Sequence, residues 1–185
     1  AEGKWKEGPG FAFFEEMKKE LGDLPIIAED LGLITTDVNV LREKCGFPGM
    51  KVLQFAFSDD NNSYLPHNYK SSNTVVYTGT HDNNTTLGWY RELGDMERER
   101  LRAYLNKDVK EDSVCYDLIK LAWSSNADIA LAPLQDLLNL GGECRMNLPG
   151  TAGGKNWVWR CRTEPMNDLK LHWIFQLTEK YGRNQ

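Results

Sequence analysis

A chain of 185 residues with 22 basic and 27 acidic side chains carries a formal charge of -5, and no basic block supplies the phosphate contacts on which nucleic-acid binding depends. No apolar run approaches the roughly 20 residues of a membrane helix, and no charged start leads into an apolar signal-like stretch, so the chain reads as soluble, with neither a nucleic-acid nor a membrane partner. Cys45, Cys115, Cys144 and Cys161 form no C-x-x-C pair and lie far in sequence from the three histidines, which reads as buried free thiols in a reducing compartment rather than a zinc site.

The spacing of Phe11, Phe14, Met17 and Leu21 predicts a helix over Phe11–Leu21, stopped by Gly22. A strand follows at Leu24–Ala28. A helix over Asp37–Lys44 is predicted next, with Thr36 as N-cap, Val38, Leu41 and Cys45 on one face, and Gly46 and Pro48 ending it. Met50–Phe57 is almost continuously apolar, as in a strand covered on both faces. Ser58–Asn73 has no period of either kind and reads as a loop, kept ordered by Tyr64 and Tyr69. Thr74–Thr78 is the third strand, and helices are predicted over Thr86–Leu93, Asp95–Leu105 and Ser113–Ser124. Ile129–Ala132 is a fourth strand, Pro133–Leu140 a short helix closed by Gly141 and Gly142, and Pro165–Tyr181 an amphipathic helix with Leu169, Trp173, Leu177 and Tyr181 inward. Strands alternating with helices make the fold class α/β with a parallel sheet.

Two of these strands stop abruptly at acids, in I-I-A-E-D-L-G over residues 26–32 and in T-G-T-H-D-N-N-T over residues 78–85. Parallel α/β sheets present reactive groups at the carboxyl ends of their strands. Glycoside cleavage is the commonest chemistry built on a facing carboxylate pair. As a general acid, Glu29 must be protonated near neutral pH, which takes desolvation or a neighbouring negative charge such as Asp30 or Asp82. Taken alone, Glu29-Asp30 reads equally as an N-cap pair, and Asp82-Asn83-Asn84 as a common turn. Among the aromatic residues, Trp5, Tyr64, Trp89 and Tyr90 are placed in or beside loops and suit sugar stacking, whereas Trp123, Trp157, Trp159 and Trp173 read as core. The G-T-A-G-G-K run ending at Lys155 has three residues between its outer glycines and no following Ser/Thr, so it is not a phosphate loop. The sequon matches at Asn61, Asn83 and Asn84 read as coincidences.

In order along the chain, G-K-W-K-E-G-P-G, I-I-A-E-D-L-G, F-P-G-M-K-V-L-Q-F-A-F, L-P-H-N-Y, V-V-Y-T-G-T-H-D-N-N-T-T-L-G-W-Y, A-P-L-Q-D-L-L, R-M-N-L-P-G-T and N-W-V-W-R resemble the second half of an amylomaltase, the 4-alpha-glucanotransferase or disproportionating-enzyme family. The likeness runs from about Gly3 to Arg162. It implies strands five to eight of a TIM (β/α)8 barrel with a C-terminal helix, a single-domain fragment over residues 1–185, since a whole barrel takes about 250 residues. It further implies transfer of α-1,4-glucan segments to a glucan or glucose by a retaining double displacement, in the cytoplasm or plastid stroma. Neither a metal nor an organic cofactor is needed for that chemistry. By the same resemblance Glu29 is the proton donor and later base, Asp82 stabilises the oxocarbenium-like transition state, His81 donates to the same ring, Asp59 holds the neighbouring sugar, and Asn147 is a candidate substrate hydrogen bond. Arg145 reads as a structural ion-pair partner. The family's nucleophilic aspartate, in an Arg-x-Asp-His motif, does not occur in this chain, so the missing N-terminal half of the barrel is an expected partner and the chain alone is expected to be inactive. An amylase-type hydrolase and an inert carbohydrate-binding half-barrel are the alternatives.

Overall fold

A computed structural model describes residues 3–4, 6–162 and 172–184. Helix α1 (Gly10–Leu21) and helix α2 (Thr36–Lys44) lead into strand β1 (Gly49–Val52). After a long loop come β2 (Thr74–Tyr77), α3 (Thr86–Glu92), α4 (Asp95–Leu105), α5 (Val114–Ser124), β3 (Ile129–Leu131), the short α6 (Leu134–Leu137) and α7 (His172–Lys180). The strands form one parallel sheet in the order β1-β2-β3, with Met50 opposite Val75 and Val75 opposite Ile129.

Side chains alternate across a strand, and this register gives the sheet two different faces. Val76 and Ala130 point toward α3, α4 and α5, where Leu53, Phe57, Leu87, Tyr90, Leu101 and Leu118 complete the main core. Met50, Val52, Val75, Tyr77, Ile129 and Leu131 share the other face. Met50, Val52 and Val75 are buried there, but Ile129 and Leu131 are 42% and 41% exposed, as is Ile27 at 42%. The strand edge beyond β3 is unpaired among the described residues. An open parallel edge beside an apolar face recruits other chains. The isolated chain is therefore expected to self-associate in a concentration-dependent way in sedimentation velocity, and a monodisperse monomer across a hundredfold concentration range contradicts this.

Three predicted elements are corrected. Leu24–Ala28 forms no strand and lies outside the sheet, with Ile26 N–H turning back to Leu24 O at 2.9 Å. Ala28 N–H reaches Pro48 O at 2.9 Å, yet Met50 N–H, the donor that would continue a parallel ladder to Ala28 O, goes instead to the Asp30 carboxylate at 2.6 Å. The Met50–Phe57 strand ends at Val52, and Leu53–Phe55 turn into a 3-10 helix. Leu53, Ala56 and Phe57 then reach the core together at 0%, 0% and 2% exposure, an i, i+3, i+4 spacing already present in the sequence. Helix α2 starts one residue early, so Thr35 occupies the N-cap and its side chain makes no capping bond.

The C-terminal helix is described from His172, and Pro165, Leu169 and their neighbours lie outside the described residues. The Arg183 guanidinium donates to the carbonyls of Trp123, Ser125 and Ala127, closing the end of α5, and Trp123 Nε1 donates to Thr178. All four cysteines are free, but only Cys115 is buried, so the other three are less enclosed than the sequence suggested.

Candidate active site

Glu29 follows the irregular segment 24–28, which is tied by Ala28 N–H to Pro48 O just before β1, and its neighbour fixes it. The Asp30 carboxylate accepts Met50 N–H and lies 3.3 Å from Arg42 Nε, both side chains being largely buried. A Cβ at Gly49 would collide with that carboxylate, so the close approach needs glycine. Asp30 is thereby committed to a structural ion pair, and Glu29 beside it is exposed. Burial and the charge of Glu29 both push the Tyr77 hydroxyl above its ordinary pKa, and both residues line the same cleft, Tyr77 from β2.

His81 and Asp82 sit on the turn after β2. Asn83 Oδ1 accepts from Thr80 N–H at 2.9 Å and from Thr80 Oγ1 at 2.8 Å, closing the turn. Gly79 packs on Gln54, which a Cβ there would strike, and Gln54 Nε2 donates to Asn84 O at 2.9 Å. From the far side, Arg145 donates to Asp82 O at 2.6 Å and to Asn147 O at 2.7 Å. Arg145 thus serves two carbonyls rather than the ion pair expected for it. Asn147 N–H bonds His81 O at 3.1 Å and its amide donates to Asp82 Oδ1 at 2.6 Å. His81 Nε2 lies 3.4 Å from the same oxygen.

Glu29, His81 and Asp82 line one open cleft of about 1150 Å³, walled by Phe55, Tyr64 and Tyr77 among others. Two carboxylates, an imidazole and aromatic walls in an open groove match the needs of a sugar, whose C–H faces pack on rings while acids and amides take its hydroxyls. Asn147 acts on this cleft through Asp82 and is not part of its lining. Asp59 is not brought to it. Its carboxylate is held by Asn61 N–H, Asn62 Nδ2 and Ser58 Oγ, and it borders a separate cavity of about 440 Å³ with Met96, Arg100 and Tyr104.

The expected aromatic platforms sort differently. Tyr64 is at the cleft, its ring edge-on to Phe55 at 5.6 Å. Tyr90 is buried at 3% and Trp89 packs on Phe57, so both belong to the core; Trp5 lies outside the described residues. Trp157, read from sequence as core, is 60% exposed, with its ring centroid 5.2 Å from that of His81. Its backbone is at φ 62°, a rare conformation for a bulky residue, held by a 2.7 Å bond from its N–H to Met146 O. The glycine pair at 153 and 154, both with positive φ, is the signal that placed this Trp on a loop rather than in a strand. Tyr77 was legible too, because period-two alternation puts it on the face opposite Val76.

The 4-alpha-glucanotransferase family profile matches residues 1–166. The chain belongs to that family. It is 51% identical to the 4-alpha-glucanotransferase of Synechocystis over 98% of its own length, and 50% identical to the chloroplastic/amyloplastic enzyme of Solanum tuberosum over 85%. It spans only 36% of the first of these 4-alpha-glucanotransferases and 27% of the second. Among solved structures it matches amylomaltase from Streptococcus agalactiae in complex with acarbose, with a TM-score of 0.89 and 34% identity, over 97% of this chain and 36% of that one. Amylomaltase from Corynebacterium glutamicum, at 17% identity and a TM-score of 0.59, shares the fold.

Proposed function

We propose that the protein carrying this chain transfers α-1,4-glucan segments between maltooligosaccharides by a retaining double displacement. The observation that carries the reading is that Glu29 and Asp82, from two separate segments, open into one aromatic-walled cleft. The Glu29 carboxyl gives its proton to the glycosidic oxygen as the C1–O bond breaks and a nucleophilic aspartate outside this chain takes C1 as an ester. The Glu29 carboxylate then removes the proton from an acceptor hydroxyl, which attacks C1 and releases the aspartate. Asp82 faces the developing positive charge, His81 holds the same ring, and Asn147 and Arg145 hold Asp82.

In this reading the residue 24–28 segment and the three strands are strands five to eight of a (β/α)8 barrel, residues 1–185 are part of that single domain, and the exposed face of Ile27, Ile129 and Leu131 is where the rest of the barrel packs. The site of action in this reading is the cytoplasm or the plastid stroma, the latter supported by the plant relatives named as chloroplastic/amyloplastic. Incubating the full-length protein with maltotriose is the test: products both longer and shorter than the substrate are expected. Shortening alone, to maltose and glucose, would make it a hydrolase instead.

Trp157 packs on His81 with its centroid 5.2 Å away and lies outside the cleft lining itself, where its exposed ring offers a stacking face to a glucan that extends past His81. Trp157→Ala is expected to raise KM for maltotriose about 10-fold, the effect of losing roughly 1.4 kcal/mol of stacking, with Trp157→Phe recovering most of it. An unchanged KM removes Trp157 from the sugar site.

A further inference from the structure

We infer that Asp136 is a positioning residue for the catalytic turn, a buried carboxylate that clamps both ends of the segment carrying His81 and Asp82. The inference rests on the role proposed above for Asp82.

Asp136 lies on α6, far from the turn in sequence and 2% exposed. It accepts three hydrogen bonds: Thr78 Oγ1 at 2.6 Å and Thr86 Oγ1 at 2.7 Å reach Oδ2, and Thr86 N–H reaches Oδ1 at 2.8 Å. Thr78 and Thr86 are both 0% exposed. Thr78 follows β2 and Thr86 opens α3, so the seven residues 79–85 leave and return through one carboxylate. Burial pushes the Asp136 carboxyl up, and the bonds from Thr78 and Thr86 pull it back. A buried carboxylate without those donors is strongly disfavoured, so the two threonines and the acid hold one another in a single arrangement. Helix α3 is itself fixed at its start, where Thr85 Oγ1 accepts Gly88 N–H at 3.1 Å. Nothing in the proposed reaction uses Asp136 directly, and it is absent from the cleft lining. What it governs is where Asp82 stands, and a displacement of about 1 Å at a reacting group can cost 10²-fold in rate.

The test combines kinetics of the full-length protein with hydrogen exchange. Asp136→Asn keeps the shape but turns a donor toward the two hydroxyls; Thr78→Val removes one bond at equal size and serves if Asp136→Asn does not fold. Each is expected to lower kcat/KM for maltotriose by about 10-fold or more. In a double-mutant cycle with Asp82→Asn the losses are expected not to multiply, because both act through the same carboxylate position. Amides of residues 79–86 should exchange about 10-fold faster while those of α5 stay unchanged. Losses that multiply, or exchange that quickens equally in α5, show a purely structural acid and overturn the inference. If Asp82→Asn itself leaves turnover intact, the functional reading has failed instead, and the exchange pattern, which needs no activity, still decides whether Asp136 holds the turn.

Discussion

Glu29→Gln in the full-length protein is expected to lower maltotriose disproportionation by about 10²–10⁴-fold, the usual contribution of a positioned general acid, with maltooligosaccharide affinity changed little. The amide preserves size and hydrogen-bonding reach at the mouth of the cleft, so the ground-state complex survives. It cannot give a proton to the departing sugar oxygen, which must then leave as an alkoxide. The decisive control is a maltosyl fluoride, whose leaving group needs no protonation. The first burst of fluoride from Glu29→Gln is expected to fall within about 10-fold of the unaltered protein, since only the protonation step has been removed. Regeneration of free enzyme should stay slow, because the acceptor hydroxyl also loses its base. Fluoride release impaired as severely as maltotriose turnover would falsify the assignment of Glu29 as the acid.

The placement of Glu29 was legible in the sequence because an apolar run stopping at an acid is a local signal. What surrounds it was not. The sequence offers Asp30 and Asp82 as neighbouring charges for Glu29, but Asp30 turns to Arg42 and to Met50 N–H. That choice depends on a partner 12 residues away and on a glycine at 49 that admits the carboxylate. The Met50 N–H bond to the same carboxylate is why residues 24–28 do not join the ladder. Helices α3 to α5 were placed within a residue or two because their apolar spacing is local and strong. The end of β1 is not legible because a continuous apolar run suits strand and helical turn alike, although Leu53, Ala56 and Phe57 carry the helical spacing. Trp157 shows the converse limit. Hydrophobicity alone assigned it to the core, while the two glycines before it were the evidence for a loop that brings it against His81.

Asp82→Asn is expected to impair both binding and turnover, in contrast to Glu29→Gln. Asn147 already donates to Asp82 Oδ1 at 2.6 Å. An asparagine at 82 keeps that bond only by presenting its carbonyl to Asn147, so its NH2 group replaces the second carboxylate oxygen, turning an acceptor into a donor. A sugar hydroxyl that donates to that oxygen then loses a charge-assisted bond, roughly twice as strong as a neutral one, and the KM for maltotriose should rise about 10-fold, as for a bond of 1.5–3 kcal/mol partly replaced. The larger effect is on the transition state, where the negative charge facing the developing oxocarbenium ion is gone. Preorganised electrostatic groups of this kind are worth about 10²–10³ in kcat. Because that charge is needed whatever the leaving group, maltosyl fluoride should show the same deficit in its first burst. If fluoride rescues Asp82→Asn as well as Glu29→Gln, Asp82 acts on the leaving group rather than on the ring, and the two carboxylates of the cleft have been given the wrong division of labour.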